Sequence, residues 1–270
     1  MNAMKILRRF LIVVATVAAL FLAIVAPATV VATKPTTNPQ KAEKLRVVAS
    51  FSVVADWVQQ IGGDAVEVVS ILPPNVDNHS YQAAPRDMKK LRDADIVVAM
   101  SPKFEKWLDE IARDTLAKNP EKFVFLADDL LTTDLGGDNA IDPHFWMNPQ
   151  LVAEKFLPVI ERAIKIENAE YVAAVAALKR EGESAFATIP PERRKIVIYH
   201  NNMANFAKCF GFEIAGTILD SATTEAADPS AKKFAALAAT IRRGKFPIFV
   251  DNTVDDRVPA ALAKEAGVPA

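Results

Sequence analysis

From residue 45 onward the chain alternates short apolar runs with segments of helical period. Residues 45–50 (LRVVAS) and 66–72 (VEVVSIL) are Val-rich and predict strands. Between them, 52–61 repeats its apolar positions at helical spacing and stops at Gly62-Gly63. Residues 85–92 predict a helix with Pro85 in its first turn. The run 96–100 (IVVAM) is apolar throughout, as in a strand covered on both faces. A helix is expected over 103–118 and a fourth strand over 123–126. The rhythm then breaks: 150–188 holds no strand pattern, and 150–166 reads as one helix carrying Pro158. Residues 168–186 read as a second, longer helix, stopped at Ile189-Pro190-Pro191. Alternation resumes with strands at 195–199 (KIVIY), 212–219 and 247–250. Helices are expected at 203–210, at 230–243 with Ser230 as N-cap, and at 258–266. Strand–helix alternation at this spacing predicts βαβ units and parallel sheets. The expected class is therefore α/β, with an N-terminal lobe at 45–165, a linking helix within 166–190 that acts as a rigid connector, and a C-terminal lobe at 191–270. Val268-Pro269-Ala270 reads as the entry to a further strand, so that last lobe is expected to be incomplete.

Ahead of this body, residues 1–28 begin with Lys5, Arg8 and Arg9, continue through an uncharged run from Phe10 to Val25, and end in Ala26-Pro27-Ala28. That is the layout of a cleavable signal peptide. The rival is an uncleaved anchor, because the apolar run extended to Val31 is long enough to span a bilayer. Residues 29–44, polar and proline-bearing, read as a flexible lead-in, and the mature protein is expected to be periplasmic. Composition is compatible with a packed core, at 51% hydrophobic and 24% charged. Net charge is −1, and setting aside the three basic residues of 1–28 leaves −4. A mildly acidic body disfavours a nucleic-acid partner. Cys209 is the only cysteine, which excludes an internal disulfide or a cysteine-rich zinc site, and it is expected to be a buried, inert thiol.

The candidate chemistry lies in three histidines, the only ones in 270 residues. His79 follows the second strand, His144 follows the fourth, and His200 directly follows KIVIY. All three therefore fall at the carboxyl ends of expected parallel strands, where open α/β sheets bind ligands. His144 sits in IDPHFWMNP, where Pro143 and Pro149 oppose helix and Phe145 and Trp146 are available to back the ring. Three imidazoles brought together would suit zinc or another first-row divalent ion. A shared metal site competes here with three unconnected loop histidines. Neither GxSxG, GxGxxG nor a P-loop occurs, which disfavours a serine hydrolase or a nucleotide site.

These residues support a resemblance. NHSYQAAPRDMKKLRDADIVV, DPHFWMNP and IVIYHNNMANFAKCFGFE resemble, in order and spacing, three motifs of the metal-binding substrate-binding proteins of bacterial zinc and manganese ABC transporters, the cluster A-I family. FVDNTVDDR resembles the stretch in which manganese-type members place a Glu, and Asp251 stands there. The resemblance runs from Leu45 to Ala270. It implies two (β/α) lobes joined by a long rigid helix, with one metal ion (Zn2+ or Mn2+, with iron as a further candidate) held in the cleft by His79, His144 and His200. It also implies a monomer that is not an enzyme and that hands its ion to a permease in the inner membrane. The family's fourth ligand is an acid beyond the last strand, expected here past residue 270, with Asp251 or water as substitutes. Three histidines favour zinc; the VDDR-like stretch and the absence of a His-rich loop favour manganese or iron. Binding is expected to weaken as pH falls through the histidine range. The alternatives are a metal-dependent adhesin or scaffold, and a three-His zinc hydrolase.

Overall fold

The computed structural model describes residues 43–108, 118–131, 141–219, 224, 229–250 and 255–268. The first sheet contains β1 (Leu45–Phe51), β2 (Val66–Leu72), β3 (Ile96–Ala99) and β4 (Phe123–Phe125), all parallel, in the order β2-β1-β3-β4. The order reverses direction at β1, which opens a crevice beyond the carboxyl ends of β1 and β3. Helix α1 (Ser52–Gly62) buries Val54, Trp57, Val58 and Ile61, the stripe its 3.6-residue period predicts. It ends where Gly63 takes φ 52°, a left-handed conformation that suits glycine. Helix α2 (Pro85–Asp93) follows the loop that carries His79.

The helix expected over 150–166 runs unbroken from 149 to 164, but with a π-helical turn inside it. Asn148 caps its start, accepting from the backbone N–H groups of Gln150 and Leu151 at 3.1 and 3.3 Å. An α-turn at Pro149–Leu151 widens into a π-helical turn at Val152–Phe156, and then α3 (Leu157–Ile164) follows. The cause is Pro158, which has no N–H to donate four residues back and whose ring presses on that turn. One wide turn, in which Leu157 N–H reaches Val152 C=O, carries the chain past it. Helix α4 (Ala169–Phe186) is capped by the Asn168 side chain on Tyr171 N–H, 3.0 Å away, while the same side chain donates to Gln60 C=O at 2.9 Å. Only Val175 of α4 is buried, so this long helix lies along the surface. It packs on the 149–156 segment and on α5 (Ala204–Phe210).

The second sheet is also parallel, with β5 (Lys195–Ile198), β6 (Glu213–Thr217) and β7 (Ile248–Phe249) in the order β6-β5-β7. Period-two alternation splits β5: Ile196 and Ile198 pack with Met203 on one face, while Val197 and Tyr199 pack on the other with α6 (Ala231–Gly244) and α7 (Arg257–Ala266). Ser230 caps α6 as expected, accepting from Lys233 N–H at 3.2 Å. Both strands flanking β5 are shorter than the sequence pattern predicts. Lys44–Ala270 forms one compact unit.

Several expectations fall outside the described residues: the signal segment at 1–28, most of the lead-in at 29–44, Asp251, most of the loop at 220–228, and Pro269-Ala270. The helix expected over 103–118 shows a turn at 102–104 and helix at 106–108, and its remainder lies outside as well. Cys209 differs from expectation in being partly exposed. Partial desolvation still raises its thiol pKa, which keeps it unreactive.

Candidate metal centre

The three histidines converge. Nε2 of His144 lies 3.2 Å from Nε2 of His79 and 3.4 Å from Nε2 of His200. One ring nitrogen from each falls within 4.8 Å of the others. Two nitrogens held tetrahedrally at 2.0–2.1 Å from one zinc ion stand about 3.3 Å apart, so the observed spacing fits a shared cation. His200 and His144 are buried, at 3% and 7% exposure, and His79 is half-buried. Each arrives from a different strand end: His79 beyond β2, His144 beyond β4, His200 beyond β5. The first two come from one sheet and the third from the other, so the cluster lies between them.

Local chemistry sets the His144 ring. Asp142 Oδ1 accepts from His144 N–H at 2.8 Å and lies 2.7 Å from His144 Nδ1. With Nδ1–H committed to the carboxylate, Nε2 carries the lone pair and faces the other two imidazoles. Burial alone would raise the Asp142 pKa, but the hydrogen bond and charge of His144 and the N–H groups of His144 and Asn205 outweigh it and hold the carboxyl below its ordinary value. His79 is lowered to about 4 and His200 to about 3, first by burial and then because a proton placed on either ring would sit against the neighbouring His144 ring. Both are therefore neutral at pH 7, the form that coordinates a metal.

A cavity of about 310 Å3 reaches the three rings from the solvent side, with Pro73, Pro74 and Asn75 at its rim. Its aromatic wall is built from Phe51 at the end of β1, Phe104 beyond β3, and Trp146. Phe104 meets the rings of His79 and His144 edge-on, with centroids 5.4 and 5.7 Å apart, and Trp146 packs 5.0 Å from His144. The two aromatic residues of IDPHFWMNP divide the labour. Trp146 backs the imidazole, whereas Phe145 turns into the core against Phe156. An apolar wall keeps water from the imidazoles and strengthens their interaction with a charge.

Sequence reasoning missed Phe51, Phe104, Asp77 and Asn205. Phe51 and Phe104 carry no local signal, because their role comes from sheet order. Asp77 did have one: Asp77-Asn78-His79 repeats the D-x-H spacing of Asp142-Pro143-His144. Among the described residues no carboxylate joins the three imidazoles as a fourth member of the cluster.

A family model described as zinc-uptake complex component A, periplasmic, matches residues 47–270. The chain belongs to this family. The manganese ABC transporter substrate-binding lipoprotein PsaA of Streptococcus pneumoniae is 26% identical over 276 aligned positions, covering 95% of this chain and 87% of that protein. The iron ABC transporter substrate-binding lipoprotein MtsA of Streptococcus pyogenes serotype M1 is 26% identical over 255, covering 86% and 80%. The periplasmic zinc-binding protein TroA of Treponema pallidum has the same fold, with a TM-score of 0.67 at 22% identity over 83% of this chain and 84% of that one. Membership in the zinc-uptake component A family agrees with the two parallel sheets. The relatives' names span manganese, iron and zinc, so they do not select one ion for this member.

Proposed function

We propose that this protein is an exported solute-binding protein that captures one divalent transition metal ion through His79, His144 and His200 and delivers it to an ABC permease. The single observation that carries the reading is the convergence of three Nε2 atoms, from both sheets, at a spacing that one ion would satisfy. In this reading the metal is cargo. The imidazoles are neutral and pre-positioned, and a carboxylate fixes the tautomer of His144. The aromatic wall and the burial of His144 and His200 favour holding an ion over activating a water on it, which supports capture over hydrolysis. The nitrogen-rich set favours zinc among the candidate ions, with manganese or iron requiring added oxygen ligands. An acid such as Asp251 would supply the remaining position.

The organisation proposed with it is a signal peptide at 1–28, a lead-in at 29–44, lobes at 45–165 and 191–270, and a linking helix within 166–190. The protein would act as a periplasmic monomer and dock on a permease of the inner membrane. Metal titration of chelator-treated protein tests the site. The unsubstituted chain should bind one zinc ion, and His144→Ala should weaken it at least a hundredfold, since the loss removes both a ligand and the Asp142-oriented ring. Unchanged affinity and stoichiometry in His144→Ala would sink the three-histidine site.

A further inference from the structure

The two D-x-H segments share more than spacing. In each, Oδ1 of the aspartate accepts the backbone N–H of the histidine two residues on: Asp77 to His79 at 3.0 Å and Asp142 to His144 at 2.8 Å. In each, Oδ2 reaches the second half of the molecule. Asp142 Oδ2 accepts the backbone N–H of Asn205 at 3.1 Å, and Asp77 Oδ2 accepts the hydroxyl of Thr224 at 2.5 Å.

The partners on the second half are not arbitrary. Asn205 lies in the first turn of α5, whose N-cap position is Met203, a residue with no side-chain oxygen to offer the free N–H groups there. Asp142 supplies that oxygen from the first half, and Asn205 Nδ2 returns a hydrogen bond to Asp142 C=O at 3.1 Å. Helix α5 begins four residues after His200. Asp142 therefore ties the His144 loop to the segment that presents His200. Asp77 ties the His79 loop to the same half by a separate route.

We propose that Asp77 and Asp142 are positioning residues that link each first-half histidine to the second half, so that the two halves hold together around the ion and resist its release. This rests on the metal-capture reading and adds a claim about rate. Opening the halves must break Asp77–Thr224 and Asp142–Asn205 as well as the metal bonds, so the tethers slow dissociation. Asp77 lines the cavity that reaches the rings, but Thr224, Asp142 and Asn205 do not, so breaking the Asp77–Thr224 tether at Thr224 leaves association largely alone.

Thr224→Val isolates one tether. It removes the hydroxyl, keeps the shape, and leaves Asp77, His79 and the rest of the first half intact. Zinc release into excess chelator, followed by stopped flow, should be about tenfold faster than in the unsubstituted protein, the effect of losing one hydrogen bond to a charged acceptor. Thr224→Ser should restore the slow rate, and the melting midpoint of the metal-free Thr224→Val protein should fall by no more than a few degrees, the effect of one hydrogen bond. Tight zinc binding with unchanged release from Thr224→Val overturns the tether. Faster release that Thr224→Ser does not restore, or that comes with a metal-free midpoint lowered by more than about 10 °C, assigns Thr224 a merely structural role and overturns it too. Failure of the unsubstituted protein to bind zinc overturns the metal-capture reading itself, and is distinguishable because it appears before any substitution is made.

Discussion

Removing the metal and lowering the pH should expose the histidine cluster as a source of instability. In the folded, metal-free protein His79 titrates at about 4 and His200 at about 3, whereas an unfolded chain holds both near 6.5. Between those limits the unfolded state binds more protons than the native state, so stability falls as pH falls. Integrated from pH 6.5 to pH 5, the two histidines together cost about 3 kcal/mol. Glu105 opposes them. It is fully buried, and burial pushes it up to about 7 despite hydrogen bonds from Ser101, Ser50 and Met100, so the native state gains a proton there as pH falls. Over the same interval Glu105 returns somewhat less than 2 kcal/mol, which leaves a net loss of about 1.5 kcal/mol. The raw pH profile is thus shallow and ambiguous. A difference profile is not: a His79→Gln/His200→Gln variant keeps Glu105 and every other carboxylate, and subtraction isolates the histidines. Urea unfolding of both chelator-treated proteins at half-unit steps from pH 6.5 to 5 should show the unsubstituted protein losing about 3 kcal/mol relative to the variant. A flat difference, or one of opposite sign, would refute the claim that these imidazoles are held neutral by burial and mutual repulsion. The same shifts move the acid limit of metal binding below the ordinary histidine range, towards pH 4 as far as His79 and His200 set it.

Two packing predictions test the frame that holds the site. Gly182→Ala should destabilise by about 1–3 kcal/mol in urea unfolding, although alanine ordinarily favours a helix by about 1 kcal/mol, because the new Cβ would stand 2.4 Å from Cε1 of Phe210, a ring confined by Phe186 and Phe206; a gain in stability would show that α4 and α5 are not closely packed there. Phe156→Ala should cost about 3–5 kcal/mol by the same assay and loosen zinc binding, since Phe156 is fully buried against Trp57 and Phe145, next to His144; a loss under 1 kcal/mol would contradict the core assignment.

Most of the architecture was legible because it rests on periodicity. The apolar strands and the α1 stripe at Val54, Trp57, Val58 and Ile61 follow from residue spacing alone. Caps were legible where side chains carry them, as at Ser230. The helix expected over 150–166 was legible, but its π-helical turn ahead of Pro158 was not, because apolar spacing does not show how a chain routes its hydrogen bonds around a missing N–H. The strands flanking β5 lie closer to expectation than their short bounds suggest, because Ile218 and Leu219 N–H still donate to Ile198 and Tyr199 C=O at 2.9 and 2.7 Å, and Pro247 C=O accepts from Val197 N–H at 2.9 Å. Sheet order was also not legible, and it is sheet order that brings Phe51 and Phe104 to one wall.

The site was legible to a different depth. Three histidines at strand ends suggested a meeting point, yet spacing alone could not exclude three unrelated loops. What supports a shared cation is that convergence here is expensive without a ligand. Burying His144 and His200 beside His79 lowers the proton affinity of His79 and His200, and leaves Nε2 of His144 facing two other ring nitrogens at contact distance. A protein with no use for a cation gains nothing from that arrangement, and any of the three positions could carry a residue that packs without the penalty. The aspartates sharpen the argument. Asp142 and Asp77 each use one oxygen to fix a histidine backbone and the other to grip the opposite half. Their negative charges sit where they would favour a cation among the rings without entering the cluster, so the same two residues can serve ion affinity and closure of the halves at once.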